Sequence, residues 1–306
     1  MSTTPIIVLT GATNGIGRVA AVELAKHGAH LVIIARSTQN ADATKALVDK
    51  AAPGTAFDVF LADLSVMDDV LRVGKEIAAR YERIDVLVNN AGIHPFEQRV
   101  TRDGFPEIFA VNYFALWLLT HTLKDVLVRS GPARIVNTAS GASRTHGVLT
   151  LPDDLTNTTP FSMLGSHTQY GKTKLLDIMF TLHLARELAH TKVIVNAVDP
   201  GFNTTGIGRE LRFAGWLEPT LHFFGVGDPQ HGASIIVHAA VAPQLAGETG
   251  AYYSRNKKLQ TPVARAVDVE LQEKLWEATE RLLKKWLTVQ AVVDEEHTPA
   301  DSGDIN

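Results

Sequence analysis

Residues 5–36 read PIIVLTGATNGIGRVAAVELAKHGAHLVIIAR, and the order of their parts decides the fold. PIIVL is a short apolar run of the kind that forms a buried strand. TGATNGIG, Thr10 to Gly17, ends that run at once. Helical periodicity then passes from Ile16 through Val19, Ala20, Leu24 and Ala25 to a stop at His27-Gly28. HLVIIAR is a second strand. Strand, glycine turn, helix and strand make a βαβ unit, whose turn lets backbone amides at a helix N-terminus approach a pyrophosphate. The glycines at 11, 15 and 17 are spaced G-x-x-x-G-x-G rather than G-x-G-x-x-G. An ordinary glycine-rich turn would show the same letters, so the flanking strand and helix carry the weight.

The alternation continues along the chain. Helices are expected over Ala41–Ala51, Met67–Arg80, Asp103–Arg129 and from near Gln169. Strands are expected over Ala56–Leu61, Ile84–Val88, Arg134–Thr138, Lys192–Val198 and about Ala251–Tyr253. Strands separated by helical segments predict an α/β fold: a single doubly wound Rossmann-type domain, with a seven-stranded, mostly parallel sheet and helices on both faces. Its span is 1–288, with a lid at about 206–227. A late amphipathic helix over Val267–Trp286 carries Val267, Leu271, Leu275, Leu282 and Trp286 on one stripe and a solvated charged face opposite. Residues 289–306 hold five acids and no Lys or Arg, and are expected to be a disordered acidic tail. Every glycine-rich or polar cluster falls at the carboxyl end of a strand, where ligands bind in open α/β sheets.

The totals exclude several classes of function. A net charge of −4 gives no electrostatic reason for nucleic acid or an anionic membrane surface as partner. The chain has no cysteine, which rules out disulfides, thiolate metal sites and cysteine nucleophiles. MSTTP leads straight into a strand without a basic, then apolar, leader, and no apolar run is long enough to span a bilayer. The expectation is a soluble, cytoplasmic protein with no membrane partner.

The helix near Gln169 reads QYGKTKLLDIMFTLHLAREL. Tyr170 and Lys174 stand four residues apart and so share one helix face. A phenol that can move a proton thus gains an ammonium neighbour that favours its anion. Tyr253 and Lys257 repeat this spacing, but they lie between GETGA and SRNKK, a strand-and-turn context without helical periodicity. Only the first pair is read as chemical.

Taken together, these motifs resemble the short-chain dehydrogenase/reductase family over roughly Ile6 to Tyr253, in the family's order. TGATNGIG resembles its TGxxxGxG cofactor turn, which nominates Thr10, Gly11, Asn14, Gly15, Ile16 and Gly17. Asp63, with Leu64, matches the aspartate at the adenine ring. Asn90, Ala91 and Gly92 of NNAG match the segment beneath the adenosine. Asn112 matches the structural and proton-relay asparagine, Ser140 the catalytic serine, and Tyr170 with Lys174 the YxxxK pair. Pro200, Gly201 and Thr205 resemble the loop that holds the nicotinamide carboxamide. The resemblance implies hydride transfer between a nicotinamide and an alcohol/carbonyl pair. Tyr170 would exchange the proton, Ser140 would orient the substrate oxygen, Lys174 would also bind the ribose, and Asn112 would hold a relay water. It also implies a homodimer through the helices Asp103–Arg129 and Tyr170–Leu188.

Strand two bears on the cofactor. Where an NAD enzyme commonly places an acid, this chain has Ala35 followed by Arg36. A guanidinium with no neighbouring carboxylate favours the 2′-phosphate, so NADP(H) is expected over NAD(H), although Arg36 could instead stack on adenine. The 30 positions from Ser140 to Tyr170 exceed the common spacing. The added segment, Gly147–Ser166, resembles the retinol dehydrogenase and WW-domain oxidoreductase branch. The lid's Phe213, Trp216 and Phe224 either line a pocket for an apolar or aromatic substrate or pack a helix onto the body. His94, His146 and His167 are near the site in sequence, and no metal role is expected. The competing class is a cofactor-binding sensor or scaffold without turnover.

Overall fold

Neighbouring residues of the strands serve opposite sides of one sheet. Val8, Val32, Ile34, Leu87 and Ile135 belong to one buried cluster, and Ile7, Leu9, Leu31, Ile33 and Val88 to the other. Burial on both faces is why the strands read as unbroken apolar runs rather than as alternating ones. The computed structural model describes residues 4–201 and 229–295. The strands are β1 (Ile6–Thr10), β2 (His30–Ala35), β3 (Phe57–Leu61), β4 (Val86–Asn89), β5 (Ala133–Thr138), β6 (Val193–Asp199) and β7 (Tyr252–Ser254). They are parallel throughout, in the order β3-β2-β1-β4-β5-β6-β7. The order reverses between β1 and β4, which opens a crevice beyond their carboxyl ends.

Helices α1 (Gly15–Lys26), α2 (Thr38–Ala51) and α3 (Met67–Arg80) follow the first three strands. The long segment after β4 is less regular than its periodicity predicts. A short helical turn at Glu107–Phe109 passes into a π-helical stretch, Ala110–Phe114, before α4 (Ala115–Arg129). A π-helical turn inside a helix often marks a functional position, and Asn112 sits within this one. Helix α5 runs from Met163 to Glu187, so Tyr170 lies in its third turn rather than in its first. After residues 202–228 come α6 (Pro229–Val241) and, following a short turn at Ala264–Val267, α7 (Val269–Glu295).

Two sequence expectations change at the C-terminus. Val267 closes the short turn and is 50% exposed, so the buried stripe of α7 begins later. The helix also continues through Val289 to Glu295, into the stretch expected to be disordered. The segment VQAVV holds no glycine or proline to stop a helix, and the first proline beyond it is Pro299. Trp276 of α7 stacks on His183 at 4.2 Å, faces Phe180 at 5.8 Å and meets Trp117 of α4 at 5.3 Å. Aromatic contacts of this kind add about 0.5–1.5 kcal/mol each to the area they bury. Thr279 and Tyr113 share a hydrogen bond of 2.9 Å. The resemblance expects a homodimer through α4 and α5, and α7 lies on part of that same pair. Among the described residues no helix is long and apolar enough to cross a membrane.

Candidate active site

The glycine turn is shaped by the strand beside it. Gly11 has φ +69° and Gly15 φ +49°, left-handed conformations that favour glycine. A Cβ at Gly17 would collide with the carbonyl oxygen of Gly11, so α1 can begin tight against the turn only without a side chain there. Asn14 caps α1 in extended conformation with no side-chain bond to the helix, leaving the first-turn amides to a ligand. Thr10 and Asn90 are bonded to each other. The amides of Asn90 and Ala91 donate to Thr10 Oγ1 at 2.9 and 3.0 Å, and Asn90 Nδ2 donates to the Thr10 carbonyl at 3.1 Å. These bonds fix the turn to the end of β4.

Arg36 is exposed where β2 ends, and Ser37 beside it caps α2. No carboxylate pairs with Arg36 among the described residues. Asp63, just beyond β3, accepts from the Ser65 amide at 2.9 Å and the Ser65 hydroxyl at 2.8 Å, which sets its carboxylate at the crevice rim. Buried Leu64 follows it. Beyond β6, Gly201 takes φ +77° and its amide donates to Asp199 Oδ1 at 2.9 Å. Positive φ at Gly11, Gly15 and Gly201, the side-chain-free approach at Gly17 and the open end of α1 fit a nicotinamide dinucleotide lying across the crevice. Thr205, Phe213, Trp216, Phe224 and the lid lie outside the described residues.

Ser140 follows β5 and caps the 3₁₀ turn Gly141–Thr145, its Oγ accepting from the Ala142 amide at 3.2 Å. That bond uses a lone pair and leaves the hydroxyl hydrogen to donate elsewhere. The turn meets α5 at Gly171, where a Cβ would stand 2.7 Å from the Ala142 carbonyl oxygen. The residue after Tyr170 thus has to be small for the serine segment to approach it. Sequence reading passed over Gly171, although a glycine inside a strong helical pattern is a signal of close packing.

Lys174 is buried and its ammonium donates to the Thr138 carbonyl and to Asp177 Oδ2, both at 2.8 Å. It stands 5.7 Å from the centre of the Tyr170 ring. Burial works to lower the Lys174 pKa, but the charges of Asp177 and then Tyr170 outweigh it and hold the lysine above its ordinary range. Burial pushes the Asp177 carboxyl up to about 6, against the pull of Lys174. Both polar side-chain atoms of Asn112 are bonded to protein groups. Its Nδ2 donates to the Ile93 carbonyl and to Thr173 Oγ1, both at 3.0 Å, and its Oδ1 accepts from the Ile93 amide at 2.8 Å. The side chain therefore clamps the segment after β4 to α5.

Two further features were not legible in the motifs. The His94 ring stacks on Tyr170 at 4.4 Å and 16°, and His167 meets His94 edge-on at 5.0 Å. The long segment before α5 is a folded plug. Leu149, Leu151 and Leu155 are buried, and Asp154 pairs with buried Lys172 at 2.6 Å. Met163, at the start of α5, is 53% exposed.

Comparison with known proteins agrees with this geometry. A family model described as short chain dehydrogenase matches residues 5–151. Human polyprenol dehydrogenase is 32% identical over 89% of this chain and 82% of its own length. Human retinol dehydrogenase 13 is 30% identical over 90% of this chain and 84% of its own. A crystal structure of an uncharacterised protein from Mycobacterium Paratuberculosis superposes with a TM-score of 0.69 at 26% identity, covering 92% of this chain and 93% of that one. Levodione reductase shares the fold at a TM-score of 0.65 and 22% identity, over 83% of this chain and 96% of that one. With identity of this order over most of both chains, the chain belongs to the short-chain dehydrogenase family of hydride-transferring oxidoreductases.

Proposed function

We propose that this protein exchanges a hydride between NADP(H) and an alcohol/carbonyl pair on an apolar or aromatic molecule, with Tyr170 as general acid–base. The observation that carries the reading is the Tyr170–Lys174 face of α5, set beside the Ser140 turn and beyond the carboxyl ends of the strands. When bound, the nicotinamide gives or accepts the hydride. Tyr170 supplies or takes the matching proton at the substrate oxygen, and Ser140 turns its free hydroxyl hydrogen toward that oxygen. The buried ammonium of Lys174 supplies positive charge on the Tyr170 side during proton exchange. Asn112 keeps Ile93 and Thr173 in register with them.

The preference for NADP(H) rests on Arg36, a guanidinium at the end of β2 with no carboxylate partner among the described residues, where a carboxylate would repel a 2′-phosphate. The apolar substrate class draws on the relatives named for polyprenol and retinol, both long apolar alcohols. The test is NADPH oxidation against a panel of apolar aldehydes, ketones and quinones, with NADH in parallel. Turnover of apolar members with NADPH preferred is the expected result. Tight NADPH binding with no turnover across the panel would favour a sensor instead.

A further inference from the structure

Two lysines on α5 are buried, and each is held by an aspartate. Lys172 pairs with Asp154 of the preceding plug at 2.6 Å, away from the Tyr170 face. Lys174 pairs at 2.8 Å with Asp177, which is one turn further along α5 and fully buried. Asp177 stands in the apolar run KLLDIMF, where a carboxylate has no reason to be unless something nearby demands its charge. Its Oδ2 takes the Lys174 hydrogen bond, while Oδ1 is buried without a hydrogen-bond partner among the described residues. Buried carboxylates are costly to keep, and a purely structural one is ordinarily satisfied on both oxygens.

The geometry around Nζ says what the charge is for. An ammonium has three donors. The Thr138 carbonyl takes one and Asp177 takes another, so a single N–H is left. On the remaining side of Nζ lie the Tyr170 ring and Gly92, where an added Cβ would stand 3.7 Å from Nζ. We propose that Asp177 is a positioning residue of the hydride-transfer site: it is the counter-ion that keeps Lys174 charged in a dry setting and aims its last N–H at the Tyr170 side. Lys174 is the cation that acts on Asp177. From the π-helical stretch the group facing Asp177 is Tyr113, a buried phenol whose pKa is raised first by burial. From β5 it is the uncharged Thr138 carbonyl, reached through Lys174. Without Asp177, burial would act on the lysine unopposed by its nearest anion, and Lys174 would give up its proton at lower pH.

This inference rests on the proposed hydride transfer, so its test has one arm that needs turnover and one that does not. Asp177→Asn keeps the shape and an oxygen acceptor but removes the charge. Asp177→Ala removes both, and Asp154→Asn breaks the neighbouring buried pair as a control. In the first arm, carbonyl reduction is followed against pH with a substrate from the panel. For Asp177→Asn the alkaline limb of kcat should move to lower pH by about one unit or more, with KM changed less than kcat. Asp177→Ala should in addition lower kcat at the optimum by roughly tenfold. In the second arm, the protein without cofactor is labelled with carbon-13 at the lysine Cε atoms, and the Lys174 resonance is identified by its loss in Lys174→Arg. That resonance should titrate at lower pH in Asp177→Asn than in wild type, and at the wild-type pH in Asp154→Asn. A Lys174 titration unchanged by Asp177→Asn would overturn the proposal, whatever the melting temperature does. If wild type turns over nothing, the functional reading fails, while the resonance still decides the role of Asp177.

Discussion

Two places in this chain carry a tyrosine four residues before a lysine, and they could hardly differ more. Tyr170 and Lys174 stand on one face of α5, with the ammonium 5.7 Å from the ring centre. Tyr253 lies in β7, packed in the buried cluster on the α1 and α6 side of the sheet, and Lys257 sits in the following turn at φ +60°. On a helix the spacing is one turn and joins the two side chains; in a strand and turn it separates them. The intervening residues differ in kind as well. Gly171 lets the Ser140 turn close on the first tyrosine, whereas Ser254 at the same offset is a β7 residue whose amide bonds to the Lys258 carbonyl at 2.8 Å. Spacing becomes chemistry only through the element that carries it.

The largest break in this comparison should come from Tyr170→Phe. The ring, its stacking on His94 and its packing stay, and the proton-exchanging hydroxyl goes. Turnover should fall by about 10²–10⁴-fold, the usual loss for a general acid–base. NADPH binding, followed by its fluorescence, should survive, because the turn at Gly11, Gly15 and Gly17 and the crevice rim are untouched. A mutant that keeps wild-type turnover would remove Tyr170 from the chemistry.

A smaller effect is expected at the other end of the crevice. Arg36→Asp exchanges the proposed phosphate partner for a carboxylate that prefers ribose hydroxyls, and should shift the ratio of NADPH to NADH affinity by roughly ten- to a hundredfold toward NADH. Equal binding of both cofactors by wild type would show that Arg36 does not select between them.

Gly171→Ala probes what separates the two pairs sterically. The added methyl would meet the Ala142 backbone at 2.7 Å, and backbone cannot swing aside as a side chain can. Overpacking of this order costs about 1–3 kcal/mol. We expect a lowered melting temperature together with a lowered kcat, since the Ser140 turn must move. Loss of stability with kcat intact would show that the serine segment tolerates the shift.

The fold was legible because it is written in local patterns. Helix α3 falls on the predicted Met67–Arg80, and each predicted strand falls within two residues of its predicted ends. The glycine turn was legible for the same reason: Gly11, Gly15 and Gly17 answer local backbone demands. What could not be read depends on residues distant in sequence. The clamp from Asn112 to Thr173 joins segments 61 positions apart, and the stack of His94 on Tyr170 joins the end of β4 to α5. Asp177 is the instructive intermediate. Its i,i+3 offset from Lys174 is local and visible, but only the burial of both partners turns a common helix pair into a constraint on the site. The folding of the plug before α5 was not legible because its buried leucines are interspersed with polar turn residues, so no single period marks them.

The smallest expected effect belongs to Tyr253→Phe, and it is the matched control for the first. Tyr253 is 6% exposed in the core, and burial, with Glu248 adding to it, pushes its phenol pKa up. A phenol that neither ionises readily nor meets an ammonium has no route to proton exchange with a bound substrate. Removing its oxygen leaves the apolar contacts with the cluster around α1 and α6 in place. Stability should change by about 1 kcal/mol or less, the range of one buried hydroxyl. Turnover and cofactor preference should match wild type at every pH at which both are folded. The two substitutions are to be measured side by side, on the same carbonyl and by the same thermal melt. Activity lost at Tyr253 and kept at Tyr170 would mean that the strand pair, not the helix pair, carries the proton.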